Sequence, residues 1–200
     1  MTIVYKLGGS LLSLPDLPER LRVVLSDSAD TRALLVIGGG VAADIVRSWD
    51  EVHHLGEERS HWLALRAMYF NEALLLELLP DACSVVDQQE ADAAWKAGRV
   101  AVLRAVEFLK QEQARHGASL RQNWNVTSDS VTGWVAEHLR EVGMVLLKSV
   151  AVPNENGSPT LTAESPQVDP YFQRLAKELP SVGWINLRET RPRLERVSLT

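Results

Sequence analysis

The run Ala33-Leu34-Leu35-Val36-Ile37 is apolar throughout and stops at Gly38-Gly39-Gly40. A strand with one face in water would alternate, so this one is buried on both faces, as in a parallel sheet covered by helices on either side. The same unit opens the chain: residues 1–7 are largely β-branched and aromatic, end at Gly8-Gly9-Ser10 and lead into Leu11-Leu12. Further strands are predicted at 84–86, 100–103, 144–150 and 183–187. Helical patterns fall between them, over 17–25, 42–49, 58–79, 88–96, 128–141 and near 169–179. Strand and helix in alternation predict an α/β fold, a three-layer αβα sandwich around a mostly parallel open sheet, with the ligand site beyond the carboxyl ends of the strands. Residues 108–117 are expected to be a loop or irregular helix, 153–167 a loop, and the basic tail from Arg188 loosely held. Nothing in the composition marks a linker, so residues 1–200 are expected to form one domain.

The formal charge of −5 gives no general pull towards nucleic acid or an anionic membrane, so an anionic ligand has to be held by local cations. Cys83 is the single cysteine, which excludes an internal disulfide and a cysteine-based metal site and fits a reducing, cytoplasmic setting. No apolar stretch reaches the length of a membrane span. His53, His54 and His61 match no metal-binding spacing, and no metal is expected on the protein itself.

Local cations do stand at the strand ends. Lys6 closes the first strand beside Gly8-Gly9-Ser10, and Lys148 closes the strand 144–150 in the same way. Each either reaches past the strand end into solvent or meets phosphoryl oxygens held on a glycine turn. Asn123-Trp124-Asn125-Val126-Thr127-Ser128-Asp129-Ser130 runs straight into the apolar helix pattern Val131, Val135, Leu139. Hydroxyls and a carboxylate at a helix start are ordinary capping chemistry, and they are also what an anion site uses. Asp44 and Arg47, three apart above the second glycine turn, make either a surface ion pair worth under ~1 kcal/mol or a clamp for an anionic group. Phosphoryl transfer asks for positioning and positive charge on the moving oxygens, which two lysines and two glycine turns can supply. The patterns GxxxxGK[ST], GxGxxG and GxSxG are absent, which argues against a P-loop enzyme, a dinucleotide-binding enzyme and a serine hydrolase.

Lys6-Leu7-Gly8-Gly9-Ser10, the triple glycine at Gly38, Thr127-Ser128-Asp129-Ser130 and Leu146-Leu147-Lys148-Ser149 resemble, in that order, the amino-acid kinase superfamily. Gly38-Gly39-Gly40 with Asp44 and Arg47, His61-Trp62 with Ala67-Met68, Trp124, and Val168-Asp169-Pro170-Tyr171-Phe172 are most similar to its [5-(aminomethyl)furan-3-yl]methyl phosphate kinase branch, which serves methanofuran biosynthesis. The resemblance implies a carbamate-kinase-like fold and an ATP-dependent kinase acting on a small phosphorylated substrate, with magnesium carried on the nucleotide. It implies that Lys6 and Lys148 contact the moving phosphoryl group and that Asp129 orders them. Gly8, Gly9, Ser10 and Ser149 would then hold ATP. Gly38, Gly39, Gly40, Asp44, Arg47, His61, Asn125, Thr127 and Ser128 would hold the acceptor. A homo-oligomer is expected, with no nucleic-acid or membrane partner. Asn125 replaces an aspartate of the branch, and Val150-Ala151-Val152-Pro153 replaces a Val-Asp-Gly-Val type of segment. A non-catalytic ligand-binding member and a uridylate- or isopentenyl-phosphate-type kinase therefore stay open.

Overall fold

The computed structural model describes residues 2–26, 32–117, 120–139, 142–162 and 164–200. Met1 and Glu141, the outer limits of a predicted strand and a predicted helix, lie outside the described residues. β1 (Thr2–Leu7), a 3-10 turn (Gly9–Ser13), α1 (Leu17–Ser26), β2 (Arg32–Ile37), α2 (Gly40–His53) and α3 (Glu57–Leu78) come first. β3 (Ala82–Val85), α4 (Gln88–Lys96), β4 (Val100–Leu103), α5 (Ala105–His116), α6 (Ser128–Leu139) and β5 (Gly143–Lys148) follow. The chain continues through β6 (Asn154–Glu155), β7 (Ser158–Leu161), α7 (Phe172–Ala176), β8 (Val182–Asn186), β9 (Glu195–Arg196) and β10 (Ser198–Leu199).

Seven strands form one sheet in the order β3-β4-β2-β1-β5-β8-β9, parallel up to β8, with β9 antiparallel at the edge. Alternation along each strand divides its side chains between two apolar layers. Val4, Val36, Met144 and Leu146 pack on one face with Val131, Trp134 and Val135 of α6. Tyr5, Leu7, Leu35, Ile37 and Leu147 pack on the other with Leu17 and Leu21 of α1 and Leu75 of α3. Each fully buried large aliphatic is worth about 1.5–3 kcal/mol, against under ~1 kcal/mol for an exposed ion pair, so these two layers set the strand register. Lys6 and Lys148 occupy even-numbered positions and so fall on the α6 face of neighbouring strands, where Lys6 pairs in register with Leu146.

Four expectations need correction. Residues 105–116 form a regular helix, α5, because Val106, Phe108 and Leu109 turn inward. Segment 153–167 contains the hairpin β6–β7, turning at Asn156 and Gly157, both at positive φ (52° and 84°), the Asn-Gly geometry that suits a two-residue hairpin. The tail is tied down: β9 pairs with β8, β10 pairs with β7, and Gln173 donates to the Thr200 carbonyl. The predicted helix at 169–179 is shorter, spanning Phe172–Ala176.

Candidate active site

Because β1 and β2 run parallel in register, Leu7 against Ile37, their glycine turns emerge side by side. A Cβ on Gly9 would lie 2.3 Å from the Gly40 nitrogen, and Gly40 itself holds φ +47°, so neither turn admits a side chain at this contact. Asn71 of α3, buried, donates to the carbonyls of Gly38 at 2.7 Å and Gly39 at 2.8 Å. That leaves α2 to begin at Gly40, where the first helical N–H groups have no partner within the helix.

On the α6 face, Asp129 sits between the two lysines, 2.9 Å from Lys6 Nζ and 2.8 Å from Lys148 Nζ, and all three side chains are buried. Lys148 also donates to the Gln167 carbonyl at 2.7 Å. Burial by itself would raise the Asp129 pKa, but Lys6 and Lys148 overcome it and hold the carboxylate below its ordinary value. Burial, with help from the Lys6 charge, lowers Lys148 from 10.5 to about 8, against the opposing pull of Asp129. At pH 7 the cluster therefore carries two ammonium groups and one carboxylate, an excess positive charge in a place where water does not screen it.

A cavity of about 330 Å³ opens over this cluster. Gly8, Gly9 and Ser10 line one part, with Ser10 Oγ 3.1 Å from Ser149 Oγ. Gly39, Gly40, Asp44 and Arg47 line another, and Arg47 pairs with Asp44 while stacking on the Trp124 ring with its guanidinium carbon 5.1 Å from the centroid. The Trp124 indole N–H donates to Asp50 at 2.9 Å, which fixes the ring against α2. His61, Ala64, Leu65 and Met68 of α3 close the apolar part of the wall.

Of the residues singled out in the sequence, Lys6, Gly8, Gly9, Ser10, Gly39, Gly40, Asp44, Arg47, His61, Thr127, Ser128, Lys148 and Ser149 meet at this cavity. Asp129 lies beneath it, bonded to both lysines. Gly38 and Asn125 are not on its wall: Gly38 extends the ladder through its N–H to the Leu7 carbonyl at 2.8 Å, and Asn125 is an exposed turn residue bonded to Asn123. Thr127 lines the cavity, yet its hydroxyl is committed to Asp169 at 2.8 Å. Asp169, which the sequence offers only as part of the Val168–Phe172 motif, is buried and accepts from Thr127, Ser130, Tyr171 and Phe172, so it fastens the start of α6. Asn71 and the ring-setting Asp50 were missed as well; an amide in a helix and an acid near a helix end look like surface residues until the partner carbonyls and the indole are located.

Among the described residues no group of three or more His, Cys, Asp and Glu is arranged to hold a metal ion, and no helix is long and apolar enough to cross a membrane. No protein-family model and no curated protein matches the sequence. Solved structures do. Uridylate kinase from Archaeoglobus fulgidus is 20% identical over 90% of this chain and 79% of its own, with a TM-score of 0.56. UMP kinase from Ureaplasma parvum is 14% identical over 100% and 99%, with a TM-score of 0.64. An isopentenyl phosphate kinase, solved as a substrate complex, is 15% identical over 99% and 100%, with a TM-score of 0.57. At these identities the likeness establishes the fold, and the fold is that of the amino-acid kinases.

Proposed function

We propose that residues 1–200 act as one domain and transfer the γ-phosphoryl group of ATP to a small phosphomonoester, giving ADP and a diphosphate. The observation that carries this reading is Asp129 held between Lys6 and Lys148 where two glycine turns meet. A carboxylate held ionised by two ammonium groups is a poor general base, so the nucleophile must arrive already ionised. The phosphate of a monoester meets that need. One of its oxygens bonds to the γ-phosphorus as the bond from that phosphorus to the β,γ-bridging oxygen breaks; ADP leaves with that electron pair, and no proton has to move. Lys6 and Lys148 stabilise the charge on the transferring oxygens, and Asp129 keeps the two ammonium groups apart and aimed. The glycine N–H groups with Ser10 and Ser149 have the donor chemistry that ATP phosphates require. Magnesium would enter on those phosphates and neutralise charge on the leaving group.

Arg47 and the N-terminal end of α2 suit the acceptor phosphate. By the sequence resemblance the acceptor we favour is [5-(aminomethyl)furan-3-yl]methyl phosphate, in methanofuran-type cofactor synthesis. Of the two departures that motivate a non-catalytic reading, Asn125 lies off the cavity wall, whereas Val150 of the segment Val150-Ala151-Val152-Pro153 lines it. The experiment is ADP release by the purified protein with Mg-ATP against that phosphate, UMP and isopentenyl phosphate, with the product mass checked for one added phosphoryl group. Turnover with the furan compound, lost in Lys6→Ala, is the expected result; full turnover in Lys6→Ala sinks the mechanism, and preferential turnover of UMP or isopentenyl phosphate replaces the acceptor.

We also propose a homo-oligomer. Val41, Ile45, Trp49 and Val52 form an exposed apolar stripe along α2, with Trp49 at 51% exposure. Sedimentation should give more than one chain per particle for the wild type and a shift towards monomer for Trp49→Glu; a wild-type monomer at micromolar concentration rejects the idea.

A further inference from the structure

The two glycine turns are held in different ways. Each commits its leading N–H to the sheet, Gly8 to the Leu147 carbonyl at 2.9 Å and Gly38 to the Leu7 carbonyl at 2.8 Å. The first turn then closes on itself, with the Leu11 N–H donating to the Gly8 carbonyl at 2.9 Å. In the second, two successive carbonyls turn to one side chain: Asn71 Nδ2 donates to Gly38 at 2.7 Å and to Gly39 at 2.8 Å. An amide nitrogen carries two hydrogens, so both are committed here. Asn71 is 5% exposed and lies behind the wall, while Gly39 and Gly40 line the cavity. No peptide among the described residues is cis, and in a trans peptide the C=O and N–H point in opposite directions. The Gly38 carbonyl shares its peptide with the Gly39 N–H, and the Gly39 carbonyl shares its peptide with the Gly40 N–H. Drawing both carbonyls back to Asn71 therefore turns both N–H groups away from it, and neither has an acceptor among the described residues. Both peptides lie between glycines, which set no steric limit on their rotation, so the hydrogen bonds to Asn71 fix the direction in which these donors point.

We infer that Asn71 is a positioning residue for the phosphoryl acceptor: from behind the wall it aims the Gly39 and Gly40 N–H groups at the acceptor's phosphate, and it touches no substrate itself. This rests on the acceptor reading of the cavity. Arg47 brings charge to that phosphate, and the two peptides bring direction. Donors aimed in advance hold an anion more tightly than donors that must be ordered as it binds. Hydrogen bonds to the acceptor's own phosphate oxygens exist before transfer as well as during it, so their loss falls on acceptor binding rather than on the chemical step. Lys6, Lys148 and Asp129 make their contacts on the α6 face of the sheet and keep them without Asn71.

The test is Asn71→Leu in the full chain, which keeps the volume and removes both donors. With Mg-ATP and whichever of [5-(aminomethyl)furan-3-yl]methyl phosphate, UMP and isopentenyl phosphate is turned over, acceptor KM should rise on the order of 30-fold. The KM for ATP and kcat at saturating acceptor should each stay within about threefold of wild type. A residue that only holds the fold together would lower the melting temperature and leave acceptor KM where it was, or would damage both KM values and kcat together; either result overturns the inference. Nitrogen-15 glycine labelling gives at most 12 amide signals and reads the donors directly. In wild type the Gly39 and Gly40 amide protons should move downfield as one of the three phosphates saturates the site, and in Asn71→Leu that movement should be lost. Amides that stay still in wild type with all three phosphates, or that move equally in the variant, overturn it. Should Asn71→Leu fail to fold, Asn71→Ser, which keeps one donor, takes its place with an expected rise in acceptor KM of about tenfold; an unchanged acceptor KM there overturns the inference. Amide shifts that depend on Asn71 without any ADP release would refute the kinase reading and leave this inference standing, whereas ADP release with silent amides would do the reverse.

Discussion

At the start of α6, Asp129 and Asp169 are both buried carboxylates, yet their surroundings differ in kind. Asp129 faces two ammonium groups at 2.9 and 2.8 Å. Asp169 reaches across from the segment before α7 and accepts from the backbone N–H groups of Thr127, Ser130, Tyr171 and Phe172 and from the hydroxyls of Thr127 and Ser130. Neutral donors on four residues fix where a backbone goes, so Asp169 is a matter of fold. Charges fix the potential over the cavity, so Asp129 is a matter of chemistry.

Replacing each by its isosteric amide separates the two, since Asn keeps the shape and loses the charge. Asp129→Asn should cost the larger rate effect, on the order of 10³ in kcat, with a change in melting temperature of only a few degrees. Its fold survives because Lys148, already lowered to about 8, sheds its proton when the countercharge goes, which leaves one buried ammonium, Lys6, rather than two. Asp169→Asn should behave oppositely. Its amide nitrogen would point a donor at N–H groups, leaving buried donors unpaired, for a loss of roughly 2–4 kcal/mol in denaturant unfolding and less than about a tenfold change in kcat for the folded fraction. Equal stability losses in the two variants, or a rate collapse confined to Asp169→Asn, would break the distinction.

That distinction was only half legible in the sequence. Lys6 and Lys148 stand out because each ends an apolar strand, and strand period alone puts both on one face once the strands are neighbours. Gly8 to Ser10 and Gly38 to Gly40 follow from the same strand-to-helix units. Asp169 could not be read this way, because beside its local donors Tyr171 and Phe172 it accepts from Thr127 and Ser130, some forty positions back in sequence, which only the packing of α7 on α6 brings near. The helix α5 was obscured because its exposed side is charged and its inward stripe is broken by the buried Glu112, which Arg115 pairs. In the hairpin, the Asn156-Gly157 signal was present but the strands it joins are four residues or shorter, too brief for a period to register. Asn125 and Gly38 show the converse error: sharing a motif with cavity residues does not put a residue on the cavity wall.

The mildest effect is the one that titrates, and it sharpens the same comparison. Lys148 is lowered to about 8 by burial and by the Lys6 charge, while Asp129 and, more weakly, Asp169 pull it back up. A phosphoryl-stabilising ammonium with that value is lost as pH rises through about 8, so kcat should fall by about tenfold per unit above it. Stability runs the other way. The unfolded chain keeps this proton up to 10.5, so between about 8 and 10.5 it binds more protons than the folded protein, and this group makes unfolding harder as pH rises. Activity and stability should therefore diverge across that window, read by initial rates and by urea midpoints at matched ionic strength. Asp129→Asn should move the midpoint of Lys148 down further than Asp169→Asn, because it removes the charge 2.8 Å away rather than a weaker, more distant one. Lys148→Arg, whose guanidinium keeps its proton throughout, should lose the alkaline limb even though its kcat is lower; a limb that persists in Lys148→Arg assigns the titration to another group.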